Sequence, residues 1–331
     1  MATSRFRGAR WQPPRPSFPV PNRRARRTLP PLSFLPLPGT GPEHVAVDPA
    51  GRLLTGLSDG RIVRVDPGGG VETVANTGGR PLGLELDADG SLVVCDAERG
   101  LLRVRLTDPA SVEVLVTGIR FCSCPAIAAD GTVYFSQSSQ RYGLDQYTGD
   151  LLEHSGTGRV LRWRGNGNEA DVVAEGLQFA NGVVLAPDGA SLAVAETGAY
   201  RVTRIALDGE QAGQTRSLID GLPGFPDNLT TGPGGLIWIA MASPRDAMLD
   251  FLLPRAPWLR GRIWSLPERL RPGPKNMAWA IAIDQDGTVV HDLHGWNVGY
   301  HEVTAAREHD GRLYLASIEE PALAVVDLPE G

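Results

Sequence analysis

Three cysteines in 331 residues are too few, and the wrong parity, for a disulfide framework. Cys122 and Cys124 lie two apart, but no second Cys or His pair stands at zinc-finger spacing. Small buried strand residues are the plainer reading of that pair. No run reaches the ~18 apolar residues of a membrane-spanning helix, and no apolar leader core opens the chain. Those two absences set an expected cytoplasmic location. Also missing are a Gly-x-Ser-x-Gly elbow and a glycine-rich loop leading into a helix, which argues against a serine α/β-hydrolase and a nucleotide site. Asp and Glu are absent from residues 1–27, which carry eight Arg (5, 7, 10, 15, 23, 24, 26, 27). The whole chain has net charge −6, so the remainder carries −14. An acidic body suits a cation and disfavours nucleic acid as a partner. The Arg/Pro-rich segment 1–27 is expected to be a disordered tail, the alternative being an arm that touches an anionic surface or a nucleic acid, with 28–331 as one folded domain.

What the chain has in quantity is glycine in hairpin turns. Asp87-Ala-Asp-Gly-Ser-Leu-Val, Ala186-Pro-Asp-Gly-Ala-Ser-Leu and Glu308-His-Asp-Gly-Arg-Leu-Tyr each place Asp-Gly between β-rich runs, where the turn needs positive φ. Equivalent glycines at 51, 90, 131, 189, 235 and 311 are spaced by 39, 41, 58, 46 and 76 residues. The base period is about forty, the length of a four-stranded propeller blade. The two long intervals hold insertions. The expected fold is therefore all-β, a six-bladed β-propeller of four-stranded blades, with a short helical insertion in the fifth. Thr28 to Leu35 is the expected strand that closes the last blade.

A second frame runs through the repeat. Glu43 lies seven residues before the turn position Ala50, Ser123 before Asp130, Asn181 before Asp188 and Asp227 before Gly234. Arranged around an axis, Glu43, Asn181, Asp227 and Asn228 converge on it, and convergent oxygens are what a hard cation requires. The competing reading is that these residues cap loops and turns, as Asp and Asn often do. His44 neighbours Glu43 but points to the other face of a strand. His291, His294 and His301 have no zinc spacing and read as a solvated loop. Glu196 reads as a structural partner of Arg201.

Tyr134-Phe-Ser-Gln, Gly158-Arg-Val-Leu-Arg, Phe179-Ala-Asn-Gly-Val, Val194-Ala-Glu-Thr, Gly224-Phe-Pro-Asp-Asn, Ser243-Pro-Arg-Asp and Glu308-His-Asp-Gly-Arg-Leu-Tyr-Leu resemble, in order, the strictosidine synthase-like family. The resemblance runs from about Pro42 to Leu328. It implies a propeller of the gluconolactonase, regucalcin and paraoxonase-like superfamily, with a catalytic Ca²⁺ in the central channel. Carried over by position, it implies metal ligands at Glu43, Asn181, Asp227 and Asn228, with the third-blade asparagine replaced by Ser123 or Cys124. Gln137 departs from an expected Asp. The resemblance also implies Asp227 as the catalytic base or nucleophile. At the position of the plant enzyme's catalytic glutamate stands Thr304, with Glu302 two residues away, so condensation chemistry is not expected.

The expected function is a calcium-dependent hydrolase acting on a small lactone or ester by metal-assisted water attack. The alternatives are a non-catalytic binding propeller and a condensing enzyme. Ser243-Pro-Arg-Asp is expected to start a helix with Ser243 as N-cap. The segment 243–275 is read as a lid, a side-packed element or a membrane-facing one, and Gly143 to Gly156 as the opposite wall. Nothing in the sequence sets an oligomeric state.

Overall fold

The computed structural model describes residues 6–24, 26–107, 109–267, 271 and 273–328. The strands form six four-stranded antiparallel sheets. Blades 1 to 5 each use four consecutive strands, starting at Ala46, Pro81, Cys122, Ala180 and Gly224. Blade 6 takes three strands between Val303 and Asp327 and is completed by Ser33–Pro36, whose Phe34 pairs with Ala324. This strand from ahead of blade 1 thus ties the ring to the last blade, as the segment Thr28 to Leu35 led one to expect, and leaves only the short outer edge that every blade has.

The core is divided as the repeat requires. Six buried apolar clusters each span one interface between neighbouring blades, from Leu54 against Leu84 to Val45 against Ala305. Strands that are apolar on both faces, such as Met277–Ile283, sit mid-blade between two such clusters and are buried throughout.

The first strand of each blade lines the channel, and there the ladders slip. Register shifts fall between Cys122 and Pro125, Ala180 and Val183, Pro226 and Leu229, and Val303 and Ala305. The residues in those gaps are Ser123 with Cys124, Asn181 with Gly182, Asp227 with Asn228, and Thr304. A bulge inserts one unpaired residue and re-aims its side chain, so blades 3 to 6 turn Ser123, Asn181, Asp227 and Thr304 toward the axis, whereas Glu43 of blade 1 precedes its strand. The inner strands approach very closely here: a Cβ on Gly182 would lie 2.0 Å from the Leu229 backbone nitrogen, so only glycine fits beside Asn181.

Among the described residues, α-helices occur only in the connections between the second and third strands of blades 3 and 5, which puts them on one face. α1 spans Tyr147–Glu153, α2 Ala247–Leu252 and α3 Pro257–Trp264. The fifth-blade insertion is thus two helices. Its N-cap is Asp246, which accepts from the Met248 and Leu249 amides at 3.0 Å. Ser243 and Pro244 belong to the preceding strand, where Pro244 pairs with Gly224, so cross-strand pairing overrides the local cap signal.

The expectation of a disordered N-terminal tail requires correction. Described residues 6–24 cross the helical face. The Ala9 amide donates to Glu153 O at 2.8 Å and the Ser17 amide to Gly221 O at 2.8 Å. Arg245 Nη1 donates to Pro14 O at 2.6 Å. Trp11 packs its ring 4.2 Å from His154 and 6.0 Å from Tyr200. Arg260, fully buried, donates to both Leu152 O in α1 and Ala9 O in the arm. Proline leaves the arm little chain entropy to lose, and its backbone carbonyls satisfy buried guanidinium groups.

Candidate active site

Glu43, Ser123, Asn181, Asp227, Glu302 and Thr304 meet at the floor of one cavity on the channel axis. All are at most 9 % exposed. Asn228 lies beside them, its Nδ2 donating to Glu43 Oε1 at 3.1 Å. Ser123 Oγ donates to Asn181 Oδ1 at 3.1 Å, and Thr304 Oγ1 donates to the Glu43 carbonyl at 2.8 Å. Asn181 is further fixed through Thr197, whose hydroxyl donates to Pro226 O at 2.7 Å. Every residue singled out by the frame therefore reaches one place. Between Ser123 and Cys124, it is Ser123 that faces the cavity; Cys124 is buried, its Sγ 4.0 Å from Val183 O.

Three oxygens in this cluster are buried with no hydrogen-bond partner: Glu43 Oε2, Asp227 Oδ1 and Asn228 Oδ1. Other buried polar atoms of the described residues are also unpartnered, Arg80 Nη2 and Tyr142 Oη among them; what sets this trio apart is that all three are oxygens on residues of one cluster. Its chemistry, two carboxylates and an amide carbonyl, is the donor set of a hard cation. Among the described residues no three His, Cys, Asp or Glu side chains gather as a metal cluster; the set here depends on amide oxygens.

The electrostatics match crowded carboxylates. Burial pushes the Glu43 carboxyl up to about 8, against the opposing pull of Arg80 and the Asn228 hydrogen bond. Asp227 is raised well above the ordinary range, first by burial and then by Glu43 and Glu302, and hydrogen bonds from Asn181 and the Asn228 amide oppose the rise. Glu302 is raised to about 7 by burial and by Glu319. Such shifts concentrate at functional sites.

Beyond these residues the lining is mainly apolar, with Asp246, Arg271 and Lys275 as its charged members. Phe121, Phe179 and Phe225 come from blades 3, 4 and 5, Leu151 from α1, and Leu249 and Leu252 from α2. The 143–156 insertion thus supplies one wall, and described residues of the fifth-blade insertion, Met248, Leu249 and Leu252 of α2 with Ile263 of α3, line the cavity as well.

Two cavity residues lay outside the frame. Tyr147 of α1 donates to Glu302 Oε1 at 3.4 Å. Glu302 has φ +49 and stands two residues before Thr304, just as Phe121 and Phe179, at φ +56 and +62, stand two before Ser123 and Asn181. The same frame shifted by two would have found it. The other candidates have structural partners. Glu196 takes bonds from Arg201, Thr203 and the Gln178 amide. Gln137 ends the equivalent strand of blade 3 and accepts from Arg159 at 2.7 Å. His44 is buried outside the cavity, and burial, with Arg307, lowers it to about 3. His291 stacks on Trp238, His294 bonds Thr28 and His301 pairs with Glu320, so the three histidines do not converge.

The family model for strictosidine synthase matches residues 126–210, and that for the N-terminal part of strictosidine synthase-like proteins matches residues 28–65. A relative in Arabidopsis thaliana named strictosidine synthase-like 10 is 32 % identical over 340 residues, covering 92 % of this chain and 90 % of its own. The chain belongs to the strictosidine synthase-like family. Another relative, from Salmo salar, is named adipocyte plasma membrane-associated protein; it is 34 % identical over 319 residues, 87 % of this chain and 76 % of its own length. The human protein of that name is 30 % identical over 318 residues, with 87 % and 75 % covered. A gluconolactonase from Xanthomonas campestris shares the fold with a TM-score of 0.66 at 19 % identity, over 92 % of this chain and 91 % of its own. A regucalcin described as calcium-binding, from Agrobacterium tumefaciens, does so with a TM-score of 0.63 at 14 % identity, over 92 % and 96 %. This strictosidine synthase-like chain therefore has the fold of the gluconolactonase and regucalcin propellers. The relatives' names overturn the expected cytoplasmic location, which rested only on missing signals. No helix among the described residues is long and apolar enough to cross a membrane.

Proposed function

We propose that this protein is a calcium-dependent hydrolase of lactones or esters with an apolar acyl part. The observation that carries the reading is the trio of unpartnered buried oxygens, Glu43 Oε2, Asp227 Oδ1 and Asn228 Oδ1, beneath an apolar cavity. Leaving such groups unpaired costs free energy that a bound cation would recover. Glu43, Asn181, Asp227 and Asn228 would hold the ion, with the Ser123 hydroxyl completing the third blade. Calcium bound there supplies a Lewis acid toward a carbonyl oxygen.

The protein's own groups supply the rest. The three phenylalanines, α1 and the α2–α3 lid take up the acyl part and keep bulk water out. Asp227 is the base: it accepts a proton from the water whose oxygen forms the new bond to the acyl carbon. Glu302, near neutrality and held by Tyr147, returns a proton to the oxygen that leaves. The gluconolactonase neighbours support the reaction class. The apolar lining disfavours a polyhydroxylated sugar lactone and favours an alkyl one. Thr304, at the position of the condensing enzyme's carboxylate, is occupied with the Glu43 carbonyl, so a condensation would have to use Glu302 instead. The relatives' names support a membrane-associated setting for this reaction.

The test is turnover of γ-lactones and 4-nitrophenyl esters of graded acyl length. We expect hydrolysis that EDTA removes and calcium restores, with kcat/KM rising with chain length. EDTA-insensitive turnover, or a preference for the shortest and most polar substrates, would contradict the reading.

A further inference from the structure

Eight large apolar side chains are exposed among the described residues, and four of them, Met248, Phe251, Trp258 and Leu266, lie within the lid segment. Met248, Phe251 and Trp258 are 60, 59 and 68 % exposed, on short helices that a soluble surface would not ordinarily give over to such residues. Cations surround them. Arg255 lies over the Phe251 ring at 4.4 Å, and Arg262 is exposed on α3. The arm brings more: Phe6 lies against Gly261 and Gly8 against Pro257, so Arg7, Arg10 and Arg15, all exposed, reach the same face. Two acids of the lid segment are already engaged, while Asp145 of the neighbouring insertion is exposed. Asp246 pairs with Lys275 at 3.3 Å, and Asp250 accepts from Tyr200 at 2.8 Å. Residues 6–24 contain no Asp or Glu.

We infer that this face, the α2–α3 lid with the arginine arm beside it, docks on an anionic phospholipid surface. Aromatic and long apolar side chains rimmed by arginine suit the interface of a bilayer, where rings sit at headgroup depth and cations meet lipid phosphate. Charge complementarity fixes the orientation, because the rest of the chain is acidic and is repelled by such a surface. A protein partner fits less well: a stable interface takes roughly 800 Å² from each side and keeps charge out of its centre, whereas here arginine lies directly on the exposed ring. Met248 both lines the cavity and stands exposed, so the docking face opens into the cavity and an apolar substrate passes from bilayer to site without crossing water. The inference rests on exposure and charge and stands whichever reaction the cavity performs.

The test is co-sedimentation of the full chain with vesicles of phosphatidylcholine alone and of phosphatidylcholine mixed with phosphatidylserine. Binding is expected to the mixed vesicles and to weaken with salt. The double variant Phe251→Glu/Trp258→Glu, altered only at exposed positions outside the cavity, should lose binding about tenfold or more with an unchanged melting temperature. The triple variant Arg7→Ser/Arg10→Ser/Arg15→Ser should lose the preference for phosphatidylserine. Wild-type protein that ignores both vesicle types, or variants that sediment as wild type does, would overturn the inference.

Discussion

Replacing Asp227 with Asn keeps the side-chain shape and removes one of two carboxylates that burial forces together. Glu43 is raised to about 8 and Asp227 well above its ordinary range. Both folded-state values exceed the unfolded ones, so the folded protein binds more protons. Without a cation, stability therefore falls as pH rises from the ordinary carboxylate range through about 8. The variant escapes part of that loss. Relief of a buried like-charge contact is worth on the order of 1–3 kcal/mol, and a domain of this size shifts by about 2 °C per kcal/mol. In EDTA at pH 8, Asp227→Asn should melt above the wild type. Calcium reverses the order. An ion at a hundred times its Kd adds about 2.7 kcal/mol to the wild type, and the variant, with one formal charge fewer, loses most of that gain. Scanning calorimetry in EDTA and in calcium should show the two curves cross. A variant that melts below the wild type in EDTA, or equal calcium shifts in both proteins, would refute the argument.

As pH rises toward 8, calcium affinity should strengthen by about tenfold per pH unit for each proton displaced; titration calorimetry in buffers of different ionisation heat counts those protons, and a flat affinity contradicts the assignment. Glu302→Gln should remove the limb near pH 7 from the kcat/KM profile while leaving the calcium-induced shift in Tm intact; an unchanged profile excludes Glu302 from proton transfer. Arg260→Met should cost about 2–4 kcal/mol, because the carbonyls of Leu152 and Ala9 lose a buried donor. Its arm should also be cut faster by trypsin, and wild-type melting and cutting would show that the arm is not held by this residue.

The propeller was legible because its turns are chemically demanding. Asp-Gly between β-rich runs at a forty-residue period admits few alternatives, and Glu43, Ser123, Asn181, Asp227 and Asn228 fell into place once the blades were counted. Three features were not legible, each because tertiary contacts outweigh local signals. Ser243 has the form of an N-cap but is claimed by pairing of its strand with Phe225. The Arg/Pro arm has too little apolar content to order itself, yet buried Arg245 and Arg260 use its carbonyls as acceptors. Glu302 was named only for its nearness to Thr304; that it faces the cavity goes with a left-handed backbone, costly for a side chain with a Cβ, which recurs two residues before Ser123 and Asn181. Location rested on the absence of signals, and absences carry no positive physical constraint.

The most direct measurement of the central claim is lactone hydrolysis followed during stepwise calcium addition to metal-stripped protein, with bound calcium counted in the same samples. Activity should rise in proportion to bound ion and saturate at a single ion per chain, and Glu43→Gln should lose binding and turnover together. Full activity in the stripped protein, or calcium bound without any gain in turnover, would contradict the account.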